Sequence, residues 1–170
     1  MRRGGARRGR PPGGPAPGHR VGAAAGGRNV IPELTTRSED ETMALAEQLG
    51  TQFHGGEVVL LSGELGAGKT AFVRGLARGV GADPGEVTSP TFVLLTSYTG
   101  RLTLHHADLY RLAGDGDEIE LGLDELPGPQ GVLAVEWADR LRWPCWPHAV
   151  RVHLDHAGDD LRRLRIEEAA

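Results

Sequence analysis

The feature that most constrains this chain is a glycine-rich segment ending in lysine and threonine, Gly63-Glu64-Leu65-Gly66-Ala67-Gly68-Lys69-Thr70. It fits the pattern G-x-x-x-x-G-K-T of a phosphate-binding loop, the P-loop. The apolar residues 57–62 before it predict a buried parallel strand, and residues 71–78 after it predict a helix. Because this motif requires a strand, a turn and a helix in that order, the segment indicates an α/β fold of the P-loop NTPase type.

The residue types of the loop suit phosphate binding. Glycines let successive backbone N–H groups turn toward phosphate oxygens. A helix that begins near Lys69 directs the positive end of its dipole at the same anion. Lys69, the only lysine of the chain, is predicted to reach the β- and γ-phosphates, and the hydroxyl of Thr70 to ligate Mg²⁺. The predicted nucleotide-binding residues of this region are Gly63, Glu64, Leu65, Gly66, Ala67, Gly68, Lys69, Thr70 and Ala71.

Length and charge predict one acidic domain with a basic N-terminal extension. The chain has 170 residues, of which 39% are hydrophobic and 25% charged, as in ordinary soluble proteins. No apolar run approaches the roughly 20 residues that cross a bilayer. Residues 1–28 hold seven arginines and no acidic residue, whereas the remainder holds 12 basic and 23 acidic residues. We therefore expect a disordered tail over residues 1–28 and a single domain over residues 29–170 that lacks a broad nucleic-acid-binding face.

The remaining patterns predict a mixed central sheet with helices on its faces, a three-layer arrangement. A short edge strand is expected within residues 29–37, and Ser38 with Glu41 forms a capping box that starts a helix. The other predicted elements are a hairpin over residues 92–99 and 102–107, a helix over 117–123, a buried strand over 132–135, a helical turn over 138–141 and a C-terminal hairpin over 150–154 and 161–166.

Two acidic residues each follow a largely apolar run, Asp108 after residues 102–107 and Glu136 after residues 132–135. If these strands flank the P-loop strand, both carboxylates lie at the same edge of the sheet as Thr70. One could then hold Mg²⁺, directly or through water, while the other orients the attacking water. The pattern leaves open which acid does which, and the alternative is that each is a solvated residue at a strand end. His106 is placed to line the site, although a core or surface histidine is the favoured interpretation.

Four motifs together resemble the bacterial TsaE (YjeE) ATPases. They are the P-loop, Ser89-Pro90-Thr91-Phe92, the run His106-Ala107-Asp108-Leu109-Tyr110-Arg111-Leu112, and Glu136-Trp137. The resemblance implies a small cytoplasmic enzyme that uses ATP and Mg²⁺ in making threonylcarbamoyladenosine (t6A) in tRNA. It implies TsaB and TsaD homologues as partners, weak hydrolysis until they are present, contact with tRNA only through that complex, and no membrane partner.

Residue roles follow from this resemblance by position. Lys69, Asp108 and Glu136 are expected to be catalytic, and Thr70, Asp108 and Glu136 to hold the metal. Trp137 is expected beside the nucleotide.

Two further positions bear on the nucleotide. Thr91 falls in the family's switch-like loop, where its hydroxyl could meet the γ-phosphate or Mg²⁺; the alternative is a turn fixed by proline. Ala71 stands where many members have a second threonine that contacts the α-phosphate in P-loop proteins, which predicts weaker nucleotide binding.

Three other classes of P-loop protein are alternatives for this chain. A small-molecule kinase needs an acceptor pocket and usually an arginine-bearing lid, but residues 113–130 are acidic and hold no arginine. A GTPase needs an N-K-x-D motif to read the base, and the chain has none. A nucleotide-sensing module without turnover stays open, since intact Lys69, Thr70, Asp108 and Glu136 argue against it only mildly.

Overall fold

The computed structural model describes residues 29–30, 33–88, 94–111, 122–141 and 146–168. The predicted tail at 1–28, the loop with Thr91 and most of the predicted helix at 117–123 lie outside these ranges, and the predictions about them stay predictions. The described strands and α-helices are β1 (Asn29–Val30), β2 (Leu34–Thr36), α1 (Glu39–Thr51), β3 (Val58–Gly63), α2 (Lys69–Gly79), β4 (Leu95–Tyr98), β5 (Thr103–Asp108), β6 (Gly131–Glu136), β7 (Val150–His156) and β8 (Arg162–Glu168). Short 3₁₀ helices span Pro84–Glu86, Leu123–Glu125 and Ala138–Arg140.

The sheet has the strand order β1-β8-β7-β3-β6-β5-β4, and β2 pairs with β8 beside β1. β3 runs parallel to β6 and β7, and β5 runs parallel to β6, whereas β4 and β8 are antiparallel to their neighbours. The predicted α/β fold with a mixed sheet is therefore confirmed, and the P-loop strand is central. Of the two acid-bearing strands only β6 flanks β3, so the condition stated above holds for Glu136 but not for Asp108, whose strand β5 lies one strand further out.

Helix α1 begins where the capping pattern predicts. The Ser38 hydroxyl accepts a hydrogen bond from the Glu41 N–H at 3.1 Å, while the Glu41 carboxylate accepts one from the Arg37 N–H at 2.7 Å. The reciprocal hydrogen bond of the capping box is thus made to the N–H of Arg37, one residue before the N-cap, and not to that of Ser38. Helix α2 can pack closely on α1 because Gly75 has no side chain; a Cβ at this position would overlap the backbone of Met43.

Both α-helices cover the same face of the sheet. Successive strand residues point to opposite faces, so they divide between two apolar clusters, one on each face. One cluster joins Phe72 and Leu76 of α2 to Val59 and Leu61 of β3. The second lies on the opposite face, against loops and the 3₁₀ helices Leu123–Glu125 and Ala138–Arg140; its buried members include Val58, Leu60, Leu109, Leu123 and Leu133.

The predicted hairpins form in the structure, β4 with β5 and β7 with β8. Residues 138–140 form the predicted helical turn. Among the described residues, no helix combines the length and apolar character needed to cross a membrane.

Candidate active site

The P-loop joins the end of β3 to the start of α2 and depends on glycine at two positions. Gly63 has φ of 131°, and a side chain there would overlap the carbonyl oxygen of Leu154 on β7. Gly68 is the N-cap of α2 with φ of 101°. L-residues rarely adopt these dihedral angles, so glycine is needed for the loop to curl in front of the helix. The N-terminus of α2, with its unpaired N–H groups, opens into the loop and suits an anion.

Lys69 is held inside the loop. Its side chain is only 4% exposed, and Nζ donates to the carbonyl oxygens of Gly63 at 2.8 Å and Glu64 at 2.7 Å. Nζ also lies 3.7 Å from the centre of the Trp137 ring. Burial lowers the pKa of Lys69, and the charges of nearby carboxylates, Glu136 first among them, oppose that shift. The lysine is therefore a buried cation whose donors can exchange loop carbonyls for phosphate oxygens.

Glu136, the last residue of β6, joins the P-loop to the sheet. Its side chain is 3% exposed, and it accepts a hydrogen bond from the Thr70 hydroxyl, with distances of 2.9 and 3.2 Å to its two oxygens. Nε2 of His106 lies 2.9 Å from Oε1 of the same carboxylate. His106 is fully buried, in agreement with the favoured interpretation of a core histidine; it does not line the site itself, but contacts Glu136 from beneath it.

Asp108, the last residue of β5, lies opposite Glu136 in the parallel register. Its side chain is 6% exposed, and Oδ1 accepts a hydrogen bond from the Tyr110 N–H at 2.9 Å. Burial raises the pKa of Asp108 and the charge of Glu136 raises it further, while the Tyr110 N–H, His106 and Lys69 oppose the shift. The register explains why Asp108 reaches this edge although β6 separates β5 from β3.

Thr70, Glu136 and Asp108 offer a hydroxyl and two carboxylates at one edge of the sheet, which is an all-oxygen set of the kind that Mg²⁺ prefers. No group of three or more His, Cys, Asp or Glu side chains suited to a metal occurs in the described part of the chain. Mg²⁺ is usually bound by one or two carboxylates together with substrate phosphates and waters, so these residues fit that ion. Asp108 is buried and accepts a hydrogen bond from the Tyr110 N–H, and a cation bound beside it would favour its charged form.

Aromatic rings form one wall of the site. Trp137 adopts a left-handed backbone conformation with φ of 59°, which turns the chain sharply after β6. Its ring lies 4.8 Å from that of Tyr110, at an interplanar angle of 44°. The Arg140 guanidinium lies 5.2 Å from the Tyr110 ring and 5.7 Å from the Trp137 ring. Trp137 is thus fixed beside Lys69 of the P-loop.

A cavity of about 250 Å³ opens in front of the loop. The predicted site residues that line it are Leu65, Gly66, Gly68, Lys69, Thr70, Ala71, Asp108, Glu136 and Trp137. Gly63 and Glu64 do not line it, but contact Lys69 through their carbonyls, and Ala67 is buried. The structure thus brings together every predicted site residue that it describes, and Thr91 is outside its ranges.

Pattern analysis missed four lining residues, which are Glu39, Arg74, Tyr110 and Arg162. Only Tyr110 carried a signal, as part of the D-L-Y-R-L run.

The central parallel strand, the glycine-rich loop and the helix define an α/β protein with a P-loop NTPase-like fold. The chain matches the family model described as threonylcarbamoyl adenosine biosynthesis protein TsaE over residues 36–164. The chain therefore belongs to the TsaE family of threonylcarbamoyl adenosine biosynthesis proteins, which confirms the resemblance stated from its motifs.

Individual relatives agree with the family match. The tRNA threonylcarbamoyladenosine biosynthesis protein TsaE of Treponema pallidum is 40% identical over 131 residues, which are 77% of this chain and 96% of that protein. The protein of the same name from Bacillus subtilis is 38% identical over 130 residues, 76% of this chain and 80% of that protein. The crystal structure of Bacillus subtilis YdiB aligns with a TM-score of 0.64 and 31% identity, covering 84% of this chain and 88% of that one.

Proposed function

We propose that this protein is a Mg²⁺-dependent ATPase that supports t6A modification of tRNA together with TsaB and TsaD homologues. Family membership supplies the t6A pathway. The ATPase assignment rests chiefly on one observation, the 2.9 Å hydrogen bond from the Thr70 hydroxyl to Glu136. That contact joins the phosphate-binding loop to a buried carboxylate, so phosphate, metal and acid would meet at one point.

The chain's own residues divide the work of phosphate transfer to water. The N–H groups at the start of α2 and the Lys69 ammonium bind phosphate oxygens and stabilise the charge that builds on them. Thr70 and one of the two carboxylates, that of Asp108 or that of Glu136, would hold Mg²⁺, which neutralises phosphate charge when bound. The carboxylate that is not on the metal orients the attacking water and accepts its proton.

The rim of the cavity supports a role for partners. Leu65 is 74% exposed and Tyr110 43%, and they are the large apolar side chains exposed in the described part of the chain. Both line the mouth of the same cavity. Since apolar side chains gathered at one mouth suit a protein contact, a partner seated there would exclude water and complete the site.

Nucleotide binding is the first test. Isothermal titration of ATP in Mg²⁺ should show binding by the wild type and none by Lys69→Ala, because the mutant loses the cation of the loop. Arg78→Ala is the matched control: this arginine lies on the same helix but is exposed and paired with Glu47 at 3.3 Å. Retained ATP affinity in Lys69→Ala would contradict the P-loop assignment.

Partner association is the second test. The chain should co-purify with its TsaB and TsaD homologues in the presence of ATP, and Leu65→Ser should weaken the complex. ATP binding should persist, because residue 65 contributes to a phosphate-binding loop through its backbone and its side chain is exposed. If the chain fails to associate with TsaB and TsaD under any nucleotide condition, the partner assignment is wrong.

A further inference from the structure

Arg162 reaches the P-loop from the opposite end of the domain sequence. It is the first residue of β8, in register with His156 of β7 and Thr36 of β2. Its side chain lies against Gly68, so that its Nε and Cδ are 2.9 and 3.0 Å from the position that a Cβ on that glycine would take. Arg162 also lines the cavity in front of the loop. The C-terminal hairpin thus places a guanidinium at the site from the side opposite the two acids.

The hydrogen bonding of Arg162 is incomplete. Nη1 donates to the carbonyl oxygen of Asp160 at 2.9 Å, but Nε is buried and has no hydrogen-bond partner among the described residues. In Arg74, which lines the same cavity, Nε by contrast has a partner: it donates to Val87 O at 3.0 Å, and Nη1 donates to Glu39 at 2.8 Å. A buried donor without a partner destabilises the fold, so such a group in a native protein needs an explanation.

We propose that Arg162 binds a phosphate group of the nucleotide held in this cavity. The inference rests on the proposed function, because it requires that the cavity take a nucleotide. A guanidinium presents planar, paired donors that match phosphate oxygens. Ala71, which lines the same cavity, lacks the hydroxyl that contacts the α-phosphate in other P-loop proteins. Arg162 supplies phosphate donors that this alanine does not.

Binding of ADP by calorimetry tests the proposal. Arg162→Gln should weaken binding roughly tenfold to a hundredfold, as for the loss of a charge-assisted hydrogen bond. The ADP affinity of Arg162→Lys should fall between those of the wild type and Arg162→Gln, because lysine keeps the charge but not the paired donors. Arg163→Gln is the matched control: Arg163 is the next residue on β8, is exposed and lies 3.7 Å from Glu33, and its loss should leave ADP affinity unchanged.

Salt dependence separates a phosphate contact from a structural role. Salt screens attraction between charges, so the loss in Arg162→Gln should shrink between about 0.05 M and about 0.5 M salt. If Arg162 only supports the loop, the variant weakens binding by the same factor at both concentrations, and the proposal is overturned. Unchanged affinity in Arg162→Gln overturns it as well. Thermal unfolding checks each variant, and Arg162→Lys carries the test if the glutamine variant does not fold.

The wild type distinguishes this inference from the proposed function. Wild-type protein that does not bind ADP or ATP refutes the ATPase assignment and this inference with it. Wild-type binding together with an unaffected Arg162→Gln refutes only the role of Arg162.

Discussion

Replacing Thr70 with valine would remove the hydroxyl and keep the size and shape of the side chain. Valine has the same shape, but it cannot donate to Glu136, which now receives the hydroxyl at 2.9 and 3.2 Å. Thr70→Ser is the matched control, because it keeps the hydroxyl and loses only a methyl group. The pair tests whether one hydroxyl both positions the buried acid and ligates Mg²⁺.

The structure sets the size of the stability change. A hydrogen bond to a charged group contributes about 1.5–3 kcal/mol, and more is lost when the partner left behind is buried. Glu136 is buried but keeps its contact with His106 at 2.9 Å, and Thr70 itself is half-buried, so the lower part of that range applies. A loss of about 1.5–2 kcal/mol lowers the unfolding midpoint of a domain of this size by about 3–8 °C. Thr70→Ser should unfold near the wild-type midpoint.

The assay is thermal unfolding together with ADP titration, with and without Mg²⁺. Mg²⁺ should strengthen ADP binding to the wild type and to Thr70→Ser, but not to Thr70→Val, whose affinity without metal should stay close to that of the wild type. The reasoning is refuted if Thr70→Val keeps the full gain from Mg²⁺, or if it unfolds at the wild-type midpoint.

Three further predictions concern single positions of the site. Gly63→Ala should lose about 2–5 kcal/mol of stability in urea unfolding, from backbone strain and steric overlap together, whereas Gly66→Ala, with open space around it, should lose only the strain part; equal losses would contradict the packing argument. Burial raises the pKa of Asp108, so its charged form is disfavoured in the folded protein. The resulting loss of folding stability is absent below pH 3.8, the ordinary pKa of this carboxyl, and grows as the pH rises from there through the raised pKa of the folded protein. Asp108→Asn should therefore be more stable than the wild type at neutral pH while losing hydrolysis, with the stability gain shrinking as the pH falls toward 3.8; a gain that does not depend on pH would contradict this. ADP should change the tryptophan fluorescence of the wild type but not of Trp137→Phe, because this ring lies on the P-loop lysine; an unchanged response in the mutant would place the reporter elsewhere.

The parts of the fold predicted from the sequence are those that short stretches of chain determine. The Ser38 cap, the β7–β8 hairpin and the P-loop each depend on residues close together in the sequence. Asp108 and Glu136 were predicted as a pair because both end apolar strands, and the parallel register places them opposite one another.

The parts that pattern analysis missed depend on contacts between distant segments. Nothing near Asp108 indicates that β6 lies between β5 and β3, since strand order is a property of the whole sheet. Arg162 reaches Gly68 only because β7 pairs with both β3 and β8. The contact of His106 with Glu136 likewise depends on strand register. His106 lies beside Ala134, which precedes Glu136 by two residues on β6 and points to the same face of the sheet.

The proposed function depends most on ATP hydrolysis at the edge of the sheet where Thr70 and the two acids meet. Phosphate release from ATP in Mg²⁺ should be measured for the wild type and for Glu136→Ala, each alone and with TsaB and TsaD homologues. We predict slow release by the wild type alone, a clear increase with the partners, and a loss of about 10²–10⁴-fold in the mutant under both conditions. The exposed Glu125, changed to alanine, serves as the control and should release phosphate like the wild type. Undiminished release by Glu136→Ala would contradict the catalytic assignment, and ATP binding without release even in the full complex would identify a nucleotide-sensing module instead.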